Sequence, residues 1–206
     1  MSLPVFRKSV LAAVLSLAAV SGPLSAQAGL NSDSYNFLEA VRDRDGSKVT
    51  SIIDEPGSTL INTRDYATGD TALHIVAERQ DTTWIKFLTQ KGANPNIANK
   101  KGVTPIMISV GYGHVEGVEA LLDAGARLTD QNGLGETPLI LATHRRDIAM
   151  VRLLLAKGAD PDRTDNSGRT ARDYVRAIGS KRLTAEFDEA DAKRDGQSGP
   201  SYGPGF

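Results

Sequence analysis

The side chains that could do chemistry in this chain are few, and most are scattered. There are three histidines, His74, His114 and His144. A three-histidine zinc site needs ligands that converge on one point, and nothing in their spacing brings these together. Gly111-x-Gly113-x-x-x-Gly117 has the glycine density of a phosphate-binding loop. It carries one residue too many for the dinucleotide fingerprint and follows no strand, which that motif requires. Asp43-Arg44-Asp45-Gly46 has the look of a calcium loop. However, Val41 stands where the first ligand belongs and Ile52 where the bidentate glutamate belongs. Ser109 has no base nearby in sequence and no nucleophile-elbow glycines. With no cysteine at all, thiol catalysis, disulfides and cysteine-ligated zinc are excluded. The expectation is a protein with no catalytic residue, no metal site and no cofactor.

Composition supports a different role. The chain has 206 residues, 40% hydrophobic, with 24 basic against 25 acidic side chains. That suffices for one domain with a core. The charge balance gives no support for nucleic-acid binding, which needs excess cations to displace counterions. The N-terminus reads as a signal peptide over 1–28. Arg7 and Lys8 form a basic start, an apolar run covers Val10 to Val20, Gly22 and Pro23 break it, and Ala26-Gln27-Ala28 is a cleavage site. The run is too short for a bilayer, which takes about 20 residues. The expected product is exported and periplasmic, with full secretion as the alternative, and has no membrane contact after cleavage.

The remaining glycines and threonines are periodic. Threonine falls at 71, 104, 137 and 170, and a unit-ending glycine at 92, 125 and 158, so both series step by 33 residues. A period of 33 with Thr-Pro-Leu-His near its start is a repeat signature. The residues Thr71-Ala72-Leu73-His74, Thr104-Pro105-Ile106, Thr137-Pro138-Leu139 and Gly113-His114 carry it, with the Gly-Ala pairs at 92–93, 125–126 and 158–159. On these residues the chain resembles the ankyrin repeat family from about Ser34 to Phe187. The resemblance implies an all-α solenoid of stacked helix-turn-helix units with hairpin-like turns. It also implies that His74 hydrogen-bonds the adjacent turn and that His114 is structural.

Elementary helix chemistry accounts for one such unit. Thr104 suits an N-cap whose hydroxyl accepts an orphan amide, and Pro105 suits N1. Val118, Leu121 and Leu122 recur at helical spacing as the buried stripe of a second helix. Gly125 suits the left-handed residue that ends it. Gly111 and Gly113 are expected in the loop between the helices. Gly117 falls inside the second helix, at a cost of about 1 kcal/mol relative to alanine.

The ends are degenerate copies. The expected organisation is a linker at 29–33, a repeat domain at 34–190 and a disordered tail at 191–206, rich in Gly and Pro. Within the domain an opening repeat covers 34–64 and a closing repeat 165–190. Full repeats cover about 65–98, 99–131 and 132–164. The closing repeat has an outer face of Lys181, Arg182, Glu186, Asp188 and Glu189, as a terminal unit needs.

Function in such an array resides on its surface. Stacking places the turns and the ends of the first helices on one concave face. The turns supply Thr68 and Asp70, Lys101 and Val103, Leu134 and Glu136, then Ser167 and Arg169. The helices supply Glu78 and Arg79, Tyr112, then His144 and Arg145. Mixed charges with an aromatic and two aliphatics make up an interface of protein type. The sequence therefore reads as a monomeric, non-catalytic scaffold or adaptor for a protein partner. A secreted effector or inhibitor of a foreign protein shares this chemistry. A small-molecule carrier fits it less well, because the helices are too short to enclose a deep pocket.

Overall fold

The computed structural model describes residues 24–197, and their side chains from Asp33 to Arg194. Residues 1–23 of the expected signal peptide and 198–206 of the expected tail lie outside the described residues.

Ten α-helices and one short 3-10 turn make up the described part, with no strand among its residues. They are α1 (Leu24–Arg42), α2 (Gly46–Ile53), α3 (Ala72–Glu78), α4 (Thr82–Gln90) and α5 (Pro105–Tyr112). These are followed by α6 (Val115–Asp123), α7 (Pro138–His144), α8 (Ile148–Ala156), α9 (Ala171–Ile178) and α10 (Lys181–Gln197). Consecutive helices pair, and α1, α3, α5, α7 and α9 pack side by side as one row. On the other side α4 lies against α6, and α8 against α10.

The pairs follow from local chemistry. Each first helix after α1 starts behind a threonine, at 71, 104, 137 or 170, in extended backbone. Asp45, Asp81 and Asp147 cap the second helices by accepting from Lys48 N, Trp84 N and Met150 N. Gly92, Gly125 and Gly158 follow the second helices with φ of 91°, 86° and 87°, the left-handed region where a side chain is costly. Leu73, Val76, Ile85, Leu88, Ile106 and Leu121 belong to one continuous core, buried between the layers.

The structure departs from the sequence expectations at several points. Gly111 lies inside α5, and only Gly113 is the left-handed residue beyond it (φ 69°). The helix takes one more turn because nothing near Gly111 forces the chain out of it. Thr104 makes no cap bond, and its hydroxyl is buried without a partner. In the first full repeat the corresponding threonine, Thr71, bonds the ring of His74 three residues on. That position is Met107 here, which offers no polar atom. Leu122 is only partly buried, at the margin of the stripe formed by Val118 and Leu121. Glu186 does not join the outer charged face. It is 9% exposed and meets Arg152 through two bonds of 2.8 and 2.6 Å. Its spacing from Leu183 puts it on the side of α10 that faces α8. Residues 29–33 are helical within α1, and α10 extends through 197 into the segment expected to be tail. Once a helix is anchored by buried residues such as Phe37 or Phe187, each added turn costs little. The long connection after α2 contains the 3-10 turn Leu60–Asn62, and both Leu60 and Ile61 pack on the core.

Candidate protein-binding face

Four turns carry the candidate residues, and all four are built alike. A side-chain oxygen at the head of each turn accepts two amides of the same turn. Asp65 accepts from Ala67 and Thr68, Asn99 from Lys101 and Val103, Asn132 from Leu134 and Glu136, and Asp165 from Ser167 and Arg169. Successive turns are then joined through the backbone. Lys100 N donates to Thr68 O at 3.0 Å, Gly133 N to Lys101 O at 2.9 Å, and Asn166 N to Leu134 O at 3.1 Å. This contact explains the glycine next to the first three tips, Gly69, Gly102 and Gly135. A Cβ on Gly102 would stand 2.9 Å from Gly133 N, and one on Gly135 2.5 Å from Asn166 N. The backbone of the face is therefore fixed, while Thr68, Lys101 and Leu134 project from it into solvent.

The residues just after the tips serve the scaffold. Asp70 accepts from Asn99 Nδ2 at 2.8 Å. Val103 O accepts from the His74 ring at 2.9 Å. Because Thr71 N donates to His74 Nδ1, the proton lies on Nε2 and points at that carbonyl. Burial lowers the pKa of His74, so its neutral form holds the two repeats together. This is the role that the family resemblance implied. Glu136 accepts from Asn132 Nδ2 at 2.8 Å and lies 3.2 Å from His144 Nδ1. His144 also meets Tyr174 edge-on, with centroids 4.3 Å apart. Arg169 sits over the other part of that aromatic, 5.8 Å from its centroid. Ser167 bonds back to Asp165.

The ends of the first helices divide sharply. Arg79, Tyr112 and Arg145 occupy equivalent places, but Arg79 is spent inside the protein. Its guanidinium donates to Val41 O at 2.7 Å, lies 3.3 Å from Asp81 and stacks 5.3 Å from the Trp84 ring. It caps the C-terminal carbonyls of α1, where a cation is favoured. Its side chain is 15% exposed, so of the three only Tyr112 and Arg145 are open to a partner. Tyr112 is 48% exposed. Arg145 is exposed, and its Nη2 lies 3.5 Å from where a Cβ on Gly113 would be. The guanidinium therefore lies beside the end of α5. Glu78 is exposed at the end of α3.

Arg146 was not among the expected residues. It is an exposed arginine in left-handed backbone (φ 55°), an unusual state for a non-glycine residue. Gly113 holds the equivalent place in the preceding repeat, and that comparison could have revealed it. Tyr66, 92% exposed at the first tip, was also missed. Lys100 donates to its carbonyl at 2.6 Å and lies 5.3 Å from its ring.

The buried glycine in α6 has a specific neighbour. A Cβ on Gly117 would fall 2.2 Å from His114 Nδ1. His114 takes the N-cap place that Asp45, Asp81 and Asp147 take before α2, α4 and α8, and its ring bonds Thr82 Oγ1 at 2.9 Å. It is held within the stack and does not reach the turn face.

The stacked-unit geometry agrees with comparisons to known proteins. A family model described as ankyrin repeats (3 copies) matches residues 37–132, and one described as ankyrin repeats (many copies) matches 121–175. The chain belongs to the ankyrin repeat family. Neurogenic locus notch homolog protein 1 of Danio rerio is 32% identical over 174 residues, covering 82% of this chain and 7% of that protein. Transient receptor potential cation channel subfamily A member 1 of Homo sapiens is 34% identical over 103 residues, 48% of this chain and 9% of that protein. A homologue of the latter in Caenorhabditis elegans is 29% identical over 123 residues, 60% of this chain and 10% of that protein. The chain thus spans at most about a tenth of these ankyrin relatives. What is shared is the ankyrin array itself, a fold that generally mediates contact between proteins.

Proposed function

We propose that this chain is a non-catalytic adaptor that binds another protein through the concave face made by its turns and first-helix ends. One observation carries this reading. Two of the few large apolar side chains left exposed are Tyr112, at the end of α5 next to Gly113 and Arg145, and Leu134, at a turn tip whose carbonyl is bonded to the next turn. Rigid aromatic and aliphatic anchors beside a cation are the side chains that dominate protein interfaces. Photoreactive residues at positions 112 and 134 should crosslink a partner that mass spectrometry then identifies. The same probes at Lys86 and Glu119, exposed on α4 and α6 of the other layer, should not. Partner capture from the second pair alone would refute the assignment of the face.

The protein's address is part of the proposal. Arg7 and Lys8, the apolar run from Val10 and the Ala26-x-Ala28 site support export to the periplasm. No helix among the described residues is long and apolar enough to cross a membrane. Mass spectrometry of protein released by osmotic shock should find Gly29 at the N-terminus. Retention of Arg7 in that protein would refute processing.

A further inference from the structure

The basic residues of the turn face are not equally available. At its N-terminal end they are engaged within the protein, with Nε and Nη2 of Arg79 buried without a hydrogen-bond partner. Arg79 is held by Val41 O, Asp81 and Trp84, and Arg42 by Glu39 and Asp65. At the C-terminal end four cations, Lys101, Arg145, Arg146 and Arg169, make no ion pair within 4.0 Å. The nearby carboxylates are already engaged. Glu136 is held by Asn132 and His144, Asp147 caps α8, and Asp165 accepts from its own turn and from Tyr174. Contacts tie several residues of this end together. Arg169 lies on Tyr174, Tyr174 on His144 and His144 on Glu136, while Arg145 lies beside Gly113. Tyr112, adjoining Gly113, and Leu134, at the tip preceding Glu136, supply its apolar area.

The chain as a whole is nearly neutral, with a formal charge of −1, and on this face the four cations outnumber the three carboxylates Glu136, Asp147 and Asp165, a small local excess of positive charge. Exposed arginines left without partners keep their donors for an incoming carboxylate, which guanidinium binds in bidentate fashion. We propose that the partner presents an acidic, extended segment with apolar anchors. It would lie across the second and third full repeats and the turn of the closing repeat, its carboxylates on Arg145, Arg146 and Arg169 and its apolar side chains on Tyr112 and Leu134. This rests on the adaptor reading and adds the partner's chemistry. The opening repeat contributes scaffold rather than contact.

The test is selection of a phage-displayed random-peptide library on the immobilised full chain, followed by fluorescence anisotropy of the selected peptides. Enriched peptides should be rich in Asp and Glu interspersed with apolar residues, and should bind more weakly as salt is raised. Arg145→Glu together with Arg146→Glu should weaken them about tenfold or more, with an unchanged far-UV spectrum. Glu78→Gln, at the other end of the face, should leave affinity within about twofold. Selected peptides that are neutral or basic, yet are lost with Tyr112→Ala, would overturn the acidic partner and leave the face intact. Peptides indifferent to all these changes but lost on replacing Lys86 and Glu119 would overturn the face itself, and so would an empty selection. A single-stranded oligonucleotide that binds tighter than the selected peptides, with the same dependence on Arg145 and Arg146, would replace the acidic segment by a polyphosphate.

Discussion

Replacing Gly117 by alanine should destabilise this protein, although helix propensity alone says the opposite. Alanine in a helix interior is better than glycine by about 1 kcal/mol. Here the added methyl would lie 2.2 Å from His114 Nδ1, 2.6 Å from Cε1 and 3.0 Å from Cγ. The ring cannot yield freely. It is 9% exposed, and Nε2 is bonded to Thr82 Oγ1 at 2.9 Å. Displacing it loses that bond, worth about 1 kcal/mol net, and adds overpacking strain of about 1–3 kcal/mol. After the propensity gain, Gly117→Ala should cost about 1–3 kcal/mol. His114→Asp restores the residue that caps α2, α4 and α8, a cap worth about 1 kcal/mol, in exchange for the Thr82 bond, and should be close to neutral. In that background Gly117→Ala should turn stabilising by about 1 kcal/mol. The cycle therefore has a coupling of about 2–4 kcal/mol with a change of sign. Urea unfolding followed by circular dichroism measures all four corners. Gly111→Ala is the internal control, because no heavy atom lies within 4 Å of its added methyl and it should simply stabilise. If Gly117→Ala stabilises in the presence of His114 as much as in its absence, the ring is not pinned and this account of the glycine fails.

Leu121→Ala, at a fully buried position in α6, should cost about 2–5 kcal/mol in the same melts, and a neutral result would contradict the observed register. Gly135→Ala should be more damaging than Gly168→Ala. Both have φ near 78° and share about 1–2 kcal/mol of left-handed strain. Only Gly135 also meets a neighbouring amide, Asn166 N, while Gly168 has open space. Acid should open the closing repeat first. Asp173 is held down to about 2 by the Thr170 amide and by Arg176. Asp191 is lowered by Arg172, and Glu186 by Arg152. Folded values below unfolded ones mean that their stabilisation is complete above the unfolded carboxylate range. It is lost as pH falls from about 4 toward 2. Amide exchange should show α9 and α10 losing protection before α5, and simultaneous loss would contradict this. His74 acts earlier and in the same direction. Its folded value lies below about 6.5, so its contribution declines as pH drops under that value, and His74→Asn should flatten the slope there.

The architecture was readable wherever it depends on local, repeated chemistry. The threonines at 71, 137 and 170 do cap helices, and the glycines at 92, 125 and 158 do adopt positive φ. What escaped the sequence depends on contacts between distant segments. Arg79 looks like Arg145 in sequence, yet only Arg79 finds the end of α1 and an aspartate within reach. Glu186 looks like its charged neighbours, yet α8 brings Arg152 to it. The Gly117 exception was legible in principle. The one repeat that replaces aspartate by histidine at the cap is also the one with glycine three residues later, where Lys48, Trp84 and Met150 stand elsewhere.

The backbone bonds between turns have a mechanical consequence. Each of the amides of Lys100, Gly133 and Asn166 spans one joint between neighbouring units. None of them takes part in holding its own unit's helices together. A joint can therefore flex, and its amide lose protection from solvent deuterium, while the helices on either side stay shut. The three protons act as strain gauges set at regular intervals along the spine. Their exchange rates would report where a bound partner stiffens the array, joint by joint, without any label on the partner.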